Sequence, residues 1–181
     1  MSAFYFDIRK DTLYCDKKNS AKRKSCIKVL EIILETLLCW FAPILSFTTE
    51  EIFKLLNKEK DQSIHLKKFL KIPENWKNEE LNKRWINIKK IREYSNISIE
   101  SKRSEKLIGS SLESNIKIKL NKKLHELAKN YDFAEICITS EAEIIMDENL
   151  KEEVHVETTK AEGEKCKVCW KISKAKCERH G

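Results

Sequence analysis

Ile27-Lys-Val-Leu-Glu-Ile-Ile-Leu-Glu-Thr-Leu-Leu-Cys-Trp-Phe-Ala-Pro43 places apolar side chains at Ile27, Leu30, Ile33, Leu34, Leu37, Leu38 and Phe41. Steps of three and four residues bring these onto one face of a helix, so residues 20–42 are expected to form a helix with a buried stripe, stopped by Pro43. Lys28, Glu31, Glu35 and Pro43 interrupt the apolar run at 27–47. It is therefore not expected to span a membrane. Thr48-Thr-Glu-Glu51 reads as a capping box, with Glu51 reaching back, opening a second helix through Ile52, Leu55 and Leu56. Residues 57–76, carrying Ser63-Ile-His65-Leu66 and Pro73, are expected to connect to a third helix at 78–104, with Leu81, Trp85, Ile88 and Ile91 on one face.

Beyond Gly109 the period changes. Ile116, Ile118 and Leu120 alternate with Lys117 and Lys119, the pattern of a half-exposed strand at 114–120. Leu124, Leu127 and Ala128 predict a short helix, and residues 134–139, 142–146 and 154–157 read as further strands between acidic turns. The expected fold class is mainly α: a helical bundle at 1–105, a small α+β unit at 106–159, and a metal-binding tail at 160–181. Trp40 and Trp85 are expected in the core, and His65 and His125 read as structural or surface groups.

The tail holds the strongest chemical signal. Cys166-Lys-Val-Cys169-Trp170 is followed by Cys177-Glu-Arg-His180, so two close-spaced ligand couples are separated by a short loop. Zinc favours four soft or borderline ligands in a tetrahedron, and a C-x2-C turn sets two thiolates on one ion. Cys166, Cys169, Cys177 and His180 are therefore expected to hold one structural zinc. A catalytic ion would keep an open position, which four protein ligands close. Trp170, directly after the second thiolate, can shield the metal or stack on RNA, and shielding is the preferred reading.

Composition narrows the function. The chain has 181 residues, 41% of them hydrophobic, enough for one domain with an appendage. Charged residues make up 36%, with both signs interspersed, and the net charge of +7 suits a protein that meets a polyanion. Cys15, Cys26, Cys39 and Cys137 have no paired spacing, which points to a reducing compartment. The first residues lack a signal pattern, so a cytoplasmic location is expected. The three glycines form no phosphate-cradling loop and no nucleophile triad is legible, which leaves an RNA-binding module or a zinc-stapled interaction domain.

Five stretches in series carry a family resemblance. Ser2-Ala-Phe-Tyr-Phe-Asp-Ile-Arg-Lys-Asp11 with Leu13-Tyr-Cys-Asp16, Ala42-Pro-Ile-Leu-Ser-Phe-Thr-Thr-Glu-Glu51, Ser63-Ile-His-Leu66, Ile108-Gly-Ser-Ser-Leu-Glu113 and Lys165-Cys-Lys-Val-Cys-Trp170 resemble the carboxy-terminal part of bacterial isoleucyl-tRNA synthetases. The valyl and leucyl enzymes share the helical region. The Cys-x-x-Cys-Trp tail favours the isoleucyl family. The resemblance implies a helical anticodon-binding domain, a junction unit and a zinc-binding end that help hold the isoleucine tRNA, acting as a monomer. The family's His-Ile-Gly-His and Lys-Met-Ser-Lys-Ser motifs are missing. The chain is therefore expected to be a non-catalytic fragment or truncated frame, needing the catalytic portion of the synthetase for ATP-dependent aminoacylation. A free-standing zinc-stapled RNA-binding or protein-interaction module is the alternative. Where the family has a second Cys-x-Arg-Cys couple, this chain has Cys177-Glu-Arg-His180, with His180 supplying nitrogen in place of sulfur.

With that resemblance, the basic cluster Lys17, Lys18, Lys22, Arg23, Lys24 and Lys28 is read as contacting tRNA phosphates rather than as a solvated helix face. Trp170, Lys171 and Arg179 are placed on the RNA side of the tail. Phe4, Tyr5, Phe6 and Tyr14 could stack on unpaired bases but read better as core.

Overall fold

The computed structural model describes residues 2–57, 62–150, 152–177 and 179–180; residues 58–61 of the expected connector and Glu178 of the tail lie outside the described residues. The chain forms two compact units, Asp16–Lys77 and a larger one made of Met1–Cys15 with Asn78–Gly181.

In the smaller unit, α2 (Ala21–Phe41) begins where Ser20 Oγ accepts the Arg23 N–H, and α3 (Ser46–Leu56) follows the Pro43 corner. Leu38, Cys39, Ala42, Phe53 and Ile64 form its buried centre. The expected capping box is not formed. Helix α3 starts at Ser46, with Leu45 rather than Thr48 at its cap position, and Thr49 Oγ1 donates back to the Leu45 carbonyl at 2.9 Å. Glu50, rather than Glu51, makes the informative contact. Its carboxylate accepts from Ser63 Oγ at 2.8 Å and from the Ile64 N–H at 3.0 Å, tying the turn Ile64–Leu66 onto α3. The Ala-Pro-Ile-Leu corner and the Ser-Ile-His-Leu stretch thus belong to one local assembly. Trp40 is 56% exposed, so the expectation of a core residue fails, and Ile27, Leu34, Leu37 and Phe41 of the expected buried stripe are exposed as well: the buried side of α2 runs through Cys26, Leu38 and Cys39 instead.

In the larger unit, β1 (Ser114–Leu120) is the central strand of a sheet ordered β2-β1-β3, with β2 at Glu141–Met146 and β3 at Val154–Lys160. Its pairing with β2 is parallel, so the chain crosses over through α5 (Lys122–Ala128) and α6 (Phe133–Ile136). Its pairing with β3 is antiparallel, Ile118 opposite Val156. Ile116, Ile118 and Leu120 are buried, as the alternation requires. They join Ile88, Ile91 and Ile99 of α4 (Glu79–Ser104) in one core. Helix α4 packs on β3, where Ser98 Oγ donates to the Val156 carbonyl at 3.1 Å. Each fully buried Ile or Leu contributes about 1.5–3 kcal/mol.

These units divide the chain differently from the expected boundaries near 105 and 160. The isoleucine stripe of α4 has the sheet as its partner, so α4 belongs to the larger unit with the tail. The expected strand at 134–139 is helix α6. Asp132 caps it by accepting the Glu135 N–H, and Phe133, Ile136 and Cys137 are buried at helical spacing. Ile138 then takes φ 58°, ending the turn. A short apolar run fits either period, and the cap decides.

Candidate metal centre

Helix α1 (Asp7–Cys15) opens the larger unit. Ile8 and Thr12, one turn apart, face inward, and Arg9 pairs with Glu135 at 2.8 Å while Thr12 Oγ1 donates to the same carboxylate at 3.3 Å. Phe4 packs edge-on against Trp85 at 5.9 Å between ring centres, and Tyr131 packs edge-on against Trp85 at 5.8 Å. Phe4 and Trp85 are thus core-associated, as expected. Tyr14, on the other side of α1, is 82% exposed, against the core expectation.

The tail is a two-stranded hairpin, β4 (Glu164–Lys165) with β5 (Ile172–Ser173), carrying a knuckle between its strands. Gly163 starts it at φ 128°, and a Cβ there would lie 2.2 Å from the Ser173 carbonyl oxygen, so only glycine fits. Within the knuckle the Cys166 N–H donates to the Lys171 carbonyl at 2.9 Å and the Trp170 N–H to the Cys166 carbonyl at 3.0 Å. Trp170 sits at φ 63°. That left-handed conformation costs a non-glycine residue roughly 1–2 kcal/mol. The turn brings both thiols of the first couple together.

The ligand atoms of Cys166, Cys169, Cys177 and His180 all lie within 4.8 Å of one another. The Cys169 and Cys177 sulfurs are 3.8 Å apart, and His180 Nδ1 is 3.6 Å from Cys166 Sγ and 3.4 Å from Cys177 Sγ. A tetrahedron with metal–sulfur bonds of about 2.3 Å has sulfur–sulfur edges of roughly 3.8 Å, and shorter sulfur–nitrogen edges. The spacing therefore fits one tetrahedral ion. Three sulfurs and an imidazole are a soft, borderline donor set, which excludes the oxygen-seeking cations calcium and magnesium.

Electrostatics distinguish the thiols. Backbone N–H groups of Cys169 and Val168 directed at Cys166 hold its thiol down to about 6, whereas burial pushes the Cys169 thiol up to about 11. Cys177 is lowered, chiefly by the Arg179 N–H. His180 is raised, first by its bond to the Cys15 carbonyl. A divalent cation held by the three sulfurs and the imidazole would favour the thiolate form of each sulfur, Cys169 included. Cys137 is pushed up to about 11, chiefly by burial, and belongs to no metal-ligand cluster among the described residues, the mark of a structural thiol.

Helix α1 meets this cluster. His180 Nε2 lies 2.9 Å from the Cys15 carbonyl oxygen, Arg179 Nη1 is 2.6 Å from Asp11 Oδ2, and Cys15 Sγ is 3.7 Å from the Val168 carbonyl. No spacing in the sequence signals these contacts, which join residues more than 150 positions apart. Trp170 is 59% exposed, with Lys165 Nζ 5.5 Å from its ring centre. Lys171 is half-buried, and Tyr14, Val168 and Trp170 wall a cleft rimmed by Lys10 and Lys171.

The cluster of Lys17, Lys18, Lys22, Arg23, Lys24 and Lys28 lies in the smaller unit, at and just before the start of α2. All but Arg23 are exposed, and Lys28 pairs with Glu31 at 3.1 Å. Arg23 turns back to donate to the Asp16 carbonyl at 3.4 Å.

The model of the family described as the anticodon-binding domain of tRNA ligase matches residues 1–120. The chain belongs to that family. Among curated proteins it is 63% identical to the isoleucine–tRNA ligase of Pelagibacter ubique (strain HTCC1062), over 99% of this chain and 20% of the relative. It is 43% identical to that of Agrobacterium fabrum (strain C58 / ATCC 33970), over 96% of the chain and 19% of the relative. The chain thus spans about a fifth of the length of the relatives it matches. The metal-ligand cluster lies beyond the span of the anticodon-binding family model. Among the described residues, no helix is long and apolar enough to cross a membrane.

Proposed function

We propose that this chain is a tRNA-binding segment of an isoleucine–tRNA ligase, gripping the anticodon region of the isoleucine tRNA so that its acceptor end reaches a catalytic portion elsewhere. The observation that carries the reading is the family match over residues 1–120 together with relatives of that activity over nearly the whole chain. The segment itself contributes positioning rather than chemistry. Remote binding energy spent on orientation raises turnover as well as affinity in ATP-dependent transfer of isoleucine to tRNA. The setting proposed is the cytoplasm, with the chain acting as a monomer.

In this reading one zinc is held by Cys166, Cys169, Cys177 and His180 as a scaffold, and its chemistry is limited to fixing the knuckle. Lys17, Lys18, Lys22, Arg23, Lys24 and Lys28 neutralise phosphates, giving affinity without sequence choice. The exposed rings of Tyr14 and Trp170 offer faces to unpaired bases, with Lys171 beside them. Arg179 is engaged by Asp11 and serves the tail's placement before any phosphate contact. The helical region to about 105, the junction unit at 106–159 and the tail from 160 are proposed as functional segments, distinct from the two packing units.

The test is a salt titration of tRNA binding by fluorescence anisotropy. Changing Lys22, Arg23 and Lys24 together to Gln is expected to weaken binding and flatten the plot of log affinity against log salt by about 2–3, one counterion per lost contact. Unchanged slope and affinity would return these residues to a solvated helix face. A partner other than RNA would then be the better reading.

A further inference from the structure

We propose that α1 is part of the metal centre: the Cys15 carbonyl and the Asp11 carboxylate fix the orientation in which His180 presents Nδ1 to the metal. The inference rests on the zinc assignment above and goes beyond it, since no ligand lies on α1.

An imidazole has two nitrogens, and whichever carries the proton cannot bind a metal. The Cys15 carbonyl can only accept, so with His180 Nε2 2.9 Å from that oxygen the proton belongs on Nε2. Nδ1 is left with the lone pair, and Nδ1 is the atom that lies 3.6 and 3.4 Å from the sulfurs of Cys166 and Cys177. Hydrogen bonding on one side of the ring and ligand geometry on the other therefore select the same tautomer. Cys15 is the last residue of α1, so its carbonyl lies at the negative end of the helix dipole. An acceptor of that kind makes the imidazole a more basic ligand.

Asp11 stands one turn earlier on the same face of α1, and its partner Arg179 immediately precedes His180. Two successive tail residues are thus held by two successive turns of one helix, and Cys15 Sγ meets the knuckle loop at Val168. An isolated ion pair this exposed stabilises a fold by only about 0–1 kcal/mol. Its place beside a ligand gives it a second effect, narrowing the positions His180 can take. Because coupling is reciprocal, metal binding must in turn steady α1.

Asp11 is a positioning residue, so the test reads the metal rather than the fold. In the zinc-loaded chain with 15N-labelled histidine, NMR is expected to show His180 coordinated through Nδ1, with a protonated, slowly exchanging Nε2. Asp11→Asn is expected to lower zinc affinity at least about tenfold in competition with a chromophoric chelator. Asp11→Glu should recover most of that loss, and α1 amides should exchange faster once zinc is removed. Coordination through Nε2, a rapidly exchanging Nε2 proton, or wild-type zinc affinity in Asp11→Asn would each overturn the proposal. Should Asp11→Asn fail to fold, the wild-type NMR result decides. A chain that binds no zinc at all would instead refute the zinc assignment.

Discussion

Stripping the metal should unfold the tail and spare the sheet. Within 160–181 the described buried apolar side chains are Ala161 and Cys169. Together they supply about 2 kcal/mol of hydrophobic stabilisation, whereas structural zinc in small Cys/His sites contributes roughly 10–16 kcal/mol of apparent binding energy at neutral pH. The metal term wins several-fold, and the hairpin of two-residue strands cannot persist without it. The strands β1 to β3 keep their own isoleucine core. Hydrogen exchange with mass spectrometry, before and after chelation, separates these regions. Amides of 164–173, including the Cys166 and Trp170 N–H groups bonded within the knuckle, should lose protection by at least about a thousandfold, corresponding to some 4 kcal/mol of the metal's contribution. Peptides from 114–120 should change by less than about tenfold. Full protection of 164–173 in metal-free protein would refute the reasoning, because another interaction would then be holding the tail.

Ile118→Ala, at a fully buried position of the central strand, should destabilise the larger unit by about 2–5 kcal/mol in urea denaturation while leaving the α2–α3 unit unchanged. The Glu50 carboxyl is held below its ordinary range, first by the Ser63 hydroxyl and further by the Ile64 N–H and Lys54. A depressed folded value gives stability that is present above the unfolded carboxyl value and lost as pH falls through the folded one. Glu50→Gln should therefore remove part of the acid limb of the stability profile of the smaller unit, and an unaltered limb would dismiss the carboxylate's role.

Much of the fold was legible because its patterns are long and regular. The 3.6-residue stripe of α2 and the strict alternation of β1 each repeat enough times to exclude the other period. The residues at 133–138 gave too few repeats, and a single capping contact from Asp132 made them helical. The Trp40 expectation failed because α2 is apolar on more than one side, so periodicity could not tell which residues would be covered. The four metal ligands could be read from spacing because one tight loop and one short return bring them together. The contacts of Asp11, Cys15 and Glu50 could not, since each depends on a partner placed by tertiary packing rather than by local sequence.

Hydroxyl-radical footprinting of the isoleucine tRNA, with the zinc-loaded chain added at low salt, tests most directly whether this segment grips the anticodon end. Protection is expected over the anticodon stem and loop, weakened by chelation or by Lys22, Arg23 and Lys24 to Gln. A tRNA left uniformly cleaved at saturating protein, or protected only along its acceptor stem, would contradict it.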